Sequence, residues 1–158
     1  SEAAKFRVYL ENMNVIYEGL GSTSRAVRFT DVRMLRRMLR DHRHRNHNPL
    51  LTLIHWEKVR KSELANIVPL WARADVLVNG GYSVDLPLLK PFVEDIFPDE
   101  RAVGRFPGHL DARMRRERVR RLLASVNPLP PDVIEAIPGD SLVREFIGGS
   151  TLKIPHND

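Results

Sequence analysis

Four arginines, Arg33, Arg36, Arg37 and Arg40, recur at i, i+3, i+4 and i+7. On a helix that spacing puts them on one stripe. Val32, Leu35, Met38 and Leu39 fall on the opposite face, with Met34 at its border. Four like charges in a row repel, so something must offset them: water and salt, an acidic segment of the same protein, or a polyanion. Arg43 and Arg45 continue the run, and Arg113, Arg116, Arg120 and Arg121 repeat it further along the chain. Guanidinium groups about one turn apart can follow phosphates, and each phosphate neutralised releases counterions.

Charge is blocked along the chain. Residues 25–48 hold eight Arg against two Asp, a net of +6, and residues 101–121 hold eight Arg against Asp111 and Glu117, again +6. Between them, residues 84–100 carry Lys90 against Asp85, Glu94, Asp95, Asp99 and Glu100, a net of −4. The whole chain is at +5. Only Lys5, Lys58, Lys61, Lys90 and Lys153 are lysines. Arginine suits planar, bidentate contact with phosphate or carboxylate, although a GC-rich genome would enrich it everywhere.

Other chemistries find less support. His42, His44, His47 and His55 resemble metal ligands in number, but on a helix His42 cannot join both His44 and His47, and the surrounding arginines oppose a cation. No metal or cofactor is expected. Glu94-Asp95 and Asp99-Glu100 read as solvated or arginine-paired acids, not as an acid–base couple in a cleft. Ser22, Ser24, Ser62 and Ser83 lie outside any Gly-x-Ser-x-Gly setting. The run Gly19 to Ser24 lacks the Gly-Lys-Ser/Thr ending of a phosphate loop. No helix-turn-helix, zinc-finger or RNP pattern is present, and Phe29, Tyr82 and Phe106 are the few aromatics near the basic blocks.

The elements that must position these residues read as mainly α: about seven helices in an irregular, proline-kinked domain over residues 1–150, with a loose tail at 151–158. Phe6, Tyr9, Leu10, Met13, Ile16, Tyr17 and Leu20 predict an amphipathic helix over 2–18, stopped by Gly19 and Gly21. The alternation Phe6, Val8, Leu10 offers a strand as the rival. A loop or short extended piece follows to Phe29. Thr30 or Asp31 caps a helix to about His42, and Asn48-Pro49 starts another to about Lys61, with Trp56 in the core. Ser62 caps an apolar stretch to Val78, broken at Pro69 and ended by Asn79-Gly80-Gly81. Asp85 caps a helix through Phe97 that holds Pro87 and Pro91. Residues 99–110 are a connector. Asp111 opens the second arginine-rich helix, to about Val126, and two short helices follow at 131–137 and 141–147.

With 158 residues, 42% apolar, the chain is long enough for its own core and too apolar for a disordered one. It holds no cysteine and no membrane-length apolar run, it opens without methionine, and no signal peptide is expected from its first residues. The opening Ser1 fits a processed chain or a piece of a longer one, and the expected compartment is cytoplasmic or nuclear. The leading expectation is a non-enzymatic helical protein that binds a polyanion, RNA or DNA backbone first, through the ten arginines named above. The alternative is a protein–protein or assembly domain with complementary Arg-rich and acidic surfaces. Sequence-specific base reading is not implied, because phosphate contacts position without specifying.

Overall fold

A computed structural model describes residues 5–14, 16–18, 25–106 and 110–153. The fold is mainly α, as the sequence predicts, but it does not begin with a helix. Two strands, β1 (Val8–Glu11) and β2 (Ile16–Glu18), stand where the helix over 2–18 was expected, and β3 (Arg25–Val27) follows. β2 and β3 pair antiparallel, Ile16 opposite Val27. β1 pairs in parallel with β4 (Val76–Asn79), in the register Val8–Val76 to Glu11–Asn79. The rival alternation Phe6, Val8, Leu10 was the correct reading. A strand far along the chain supplies its ladder partner, and tertiary pairing of this kind overrides helical spacing.

Helix α1 (Phe29–Arg45) buries Val32, Met34, Leu35, Met38 and Leu39, the apolar face read from the sequence. It begins before the expected caps and runs past His42. Arg28 is its N-cap residue, without a side-chain cap bond, and Asn46, in the left-handed region at φ 49°, ends it with its amide on the Asp41 carbonyl. Asn48 does cap α2 (Pro49–Asn66), its side chain accepting from the Leu50 amide at 2.9 Å. Ser62 is no cap: α2 continues through it, and the Asn66 side chain donates to the Ser62 carbonyl. A 3₁₀ turn (Val68–Arg73) opens around Pro69 and delivers the chain to β4.

Helix α3 (Asp85–Glu94) carries Pro91 inside it and ends short of the expected Phe97. Asp85 does not serve as its N-cap; Val84 holds that position without a side-chain bond. The expected connector at 99–110 contains a short helix, α4 (Glu100–Gly104), because Asp99 accepts from the Ala102 amide and so caps it. α5 (Leu110–Ala124), α6 (Pro131–Glu135) and α7 (Arg144–Ile147) complete the chain.

The core forms where α1 and α2 cross α3, α5 and α7. Met34, Leu35 and Met38 meet Leu53 and Trp56 of α2, Leu86, Leu89 and Val93 of α3, Val119 and Leu122 of α5, and Ile147 of α7. Trp56 is in the core as expected. Thr151 is tied by its amide to the Gly139 carbonyl, and 154–158 of the predicted tail lie outside the described residues. Among the described residues no helix is long and apolar enough to cross a membrane.

Candidate functional site

The arginines of α1 divide into two groups along the helix. Arg33 and Arg36, in its first half, are held by the protein itself. Arg33 donates from Nη1 to Glu63 at 3.2 Å and also pairs through Nη2, while Glu11 of β1 lies 3.7 Å away. Arg60 shares Glu63. Arg36 makes a forked contact with the buried Asp85, Nη2 at 2.6 and 2.7 Å from its two oxygens, and gives Nη1 to the Gly80 carbonyl at 3.0 Å. The rings of Tyr82 and Phe146 flank it at 5.3 and 5.4 Å. Arg36 therefore clamps α1 to the turn between β4 and α3.

The second half of α1 is different. Arg37, Arg40 and Arg45 all turn to one buried carboxylate, Asp41. The contacts are Arg37 Nε at 3.1 Å, Arg40 Nε at 3.3 Å and Arg45 Nη1 at 3.1 Å, with Glu145 a further 4.0 Å from Arg40. The pairs at i−4 and i+4 follow from helix geometry alone. Arg43 is exposed and has no carboxylate partner among the described residues. Its guanidinium lies over Gly148, where an added Cβ would come within 2.7 Å of Nη1. His44 shares a 2.9 Å bond with the Glu145 carbonyl and so joins this end of α1 to α7. Three guanidinium groups thus share Asp41, Glu145 lies 4.0 Å from one of them, and Arg43 lies apart over Gly148.

The arginines of α5 also split by burial. Arg115 and Arg118, outside the candidate set, face inward. Arg115 donates to the Leu53 carbonyl at 2.8 Å, and burial lowers its pKa. Arg118 forks onto the buried Asp31 with both bonds at 2.7 Å, and that bond raises its pKa. Arg116 gives Nε to the Pro98 carbonyl and lies over the Phe97 ring. Arg120 and Arg121 share Glu117, whose carboxyl the Arg120 hydrogen bond lowers below its ordinary pKa. Arg113 is exposed and has no carboxylate partner among the described residues. Arg113, Arg116 and Arg121 line an open groove of about 530 Å³ with Glu100, Glu117 and Met114.

These two cationic regions sit at opposite ends of α1. α5 reaches the first turn, at Asp31, whereas Arg37 to Arg45 lie on the last turns beside α7. The ten candidate arginines therefore do not form one continuous face. The signal that would have separated them was partly present: Asp41 stands four residues from both Arg37 and Arg45, but Glu63, Asp85 and Asp31 find their arginines only through the fold.

Elsewhere, His42, His47 and His55 are exposed, and among the described residues no three His, Asp or Glu side chains gather as metal ligands. Glu94 lies 3.7 Å from Lys90, Asp99 caps α4, and Ser62 is inside α2. Ser22 and Ser24 are outside the described residues. Comparison with known proteins found no family model, no curated protein and no solved structure that matches this chain.

Proposed function

We propose that this protein binds a polyanion, a nucleic-acid phosphate backbone first, and that Arg37, Arg40, Arg43 and Arg45 at the end of α1 make the central contact. The observation that carries the reading is the charge around Asp41. Three guanidinium groups share its two oxygens, and Arg43, on the same turns of α1 but over Gly148, has no carboxylate partner among the described residues. A carboxylate accepts only a few hydrogen bonds, so most of the N–H donors here stay available to phosphate oxygens. Residues 37 to 45 span about 12 Å of helix at 1.5 Å per residue, enough for a few phosphates. Arg113 and Arg121 form a second, weaker contact. Arg33 and Arg36 drop out of the proposed contact, because their donors are engaged within the fold.

The test is binding of a labelled single-stranded oligonucleotide at low and moderate salt, with duplex DNA and tripolyphosphate as further probes. The double variant Arg37→Glu, Arg43→Glu is expected to abolish binding while leaving the helical circular dichroism unchanged. Tighter binding of tripolyphosphate than of the oligonucleotide would assign the site to a compact phosphorylated ligand. No binding of any of the three probes at low salt would overturn the reading.

A further inference from the structure

Asn79 is the one asparagine of this chain that a glycine follows, in the run Asn79-Gly80-Gly81. That dipeptide has a chemistry of its own. The Gly80 nitrogen can lose its proton and attack Cγ of Asn79. A C–N bond closes a five-membered imide, the Cγ–Nδ2 bond breaks, and Nδ2 leaves as ammonia. Water then opens the imide at either carbonyl. One opening gives aspartate; the other gives isoaspartate, in which the main chain runs through Cγ. No co-reactant beyond water is needed. Glycine eases the step because it has no side chain to hinder the nitrogen and leaves the backbone free to turn.

The fold holds both reacting groups. Asn79 closes β4 opposite Glu11 of β1. The Gly80 amide donates to the Glu11 carbonyl at 2.8 Å, so its proton is engaged while the strands are paired. The Asn79 side chain is fixed at both of its polar atoms. Its Oδ1 accepts from the amides of Met13 at 2.9 Å and Gly81 at 3.0 Å, and its Nδ2 donates to Asn14 Oδ1 at 2.7 Å. Apart from the Gly81 bond, these contacts come from residues 11–14, the end of β1 and the chain that leaves it. Asn79 itself is exposed. The ladder is only two strands wide, and Val8, Leu10, Val76 and Val78 on it are between 39% and 66% exposed. Such a pair opens at lower cost than a buried core.

We propose that Asn79 is a site of spontaneous deamidation, locked while β1 pairs with β4 and released when β1 lifts. Local opening of this pair controls the step, not unfolding of the whole chain. The two products differ in effect. Aspartate keeps both accepting bonds at Oδ1 and loses only the donor to Asn14, where two oxygens then face each other. Isoaspartate adds one carbon to the main chain just before Gly80. The Gly80 amide meets Glu11 and its carbonyl takes Arg36 Nη1 at 3.0 Å, so the longer chain displaces one contact or the other. Conversion to isoaspartate therefore loosens β1 permanently. This site is separate from the arginines at the end of α1 and stands or falls independently of the polyanion reading.

The experiment incubates the 158-residue chain at mildly alkaline pH, in buffer and in unfolding urea, and follows aspartate and isoaspartate at position 79 by peptide mapping. Hydrogen exchange of the Gly80 amide is measured in the same buffer. The unfolded chain is expected to convert and the folded chain to convert more slowly. The slowing matches the protection factor of the Gly80 amide within about threefold, because one opening governs both. Gly80→Ala suppresses conversion in urea. Its Cβ comes closest to Leu10 Cδ1, at 3.1 Å, and that side chain is exposed and free to shift, so the variant folds. The isolated isoaspartate form loses more protection at the β1 amides than Asn79→Asp does. Four results would overturn the proposal: no conversion at position 79 in urea; equal rates in the folded and unfolded chain; slowing that exceeds the Gly80 protection factor by about tenfold or more, which would assign the step to global unfolding; or β1 protection in the isoaspartate form no lower than in Asn79→Asp.

Discussion

At the scale of single residues, the buried carboxylates decide what each arginine can do. Asp85 is 1% exposed and takes both of its strong bonds from Arg36. A buried charge is tolerable only with its partner in place, so removing one member leaves the other uncompensated at a cost of about 3–5 kcal/mol. Asp85→Ala is therefore expected to destabilise the fold by that amount in urea unfolding. The double variant with Arg36→Met should recover much of the loss. A loss well under 1 kcal/mol for Asp85→Ala would show that the clamp is not structural. Asp41 shows the opposite balance. One carboxylate serves three arginines, so the same type of contact that satisfies Arg36 leaves cationic surplus at the end of α1.

At the scale of elements, α1 is a structural beam on one side and a cationic edge at one end. Its apolar positions were legible because 3.6-residue periodicity needs no knowledge of the rest of the chain, and every one of them is buried. The start of α2 was legible for the same reason, since Asn48 and Pro49 act locally. What escaped the sequence was non-local. β1 exists because β4 pairs with it across the length of α1 and α2, and no window of the sequence contains both strands. The candidate site was half legible. The arginine stripe could be read, but which arginines Glu63, Asp85 and Asp31 engage depends on tertiary contacts. The turn after α7 tests how the end of α1 is held. Gly148 sits at φ +92°, ψ 171°, backbone that only glycine adopts easily, and a Cβ there would meet the Arg43 guanidinium. Gly148→Ala should cost about 1–3 kcal/mol in strain and displace Arg43, seen as lost stability together with weaker polyanion binding. Unchanged stability would mean that the turn relaxes freely.

At the scale of the whole molecule, the acids do more than lower the net charge to +5. The pairs Asp31–Arg118, Glu63–Arg33 and Asp85–Arg36 pin α5, α2 and the start of α3 to α1, which turns part of the basic excess into structure. The remainder collects at the end of α1 and along the outer side of α5, while the uncovered apolar surface collects around β1 and β4. Two separate surfaces result, one rich in arginine and one apolar. The most direct measurement of the central claim is the salt dependence of oligonucleotide affinity for the unaltered chain and for Arg43→Ala. If three or four arginines of the α1 cluster neutralise phosphates, log Kd against log salt for a single strand has a slope of about 2–3, and losing Arg43 lowers it by ~0.7. A slope near zero, or one that Arg43→Ala leaves unchanged, would contradict the account.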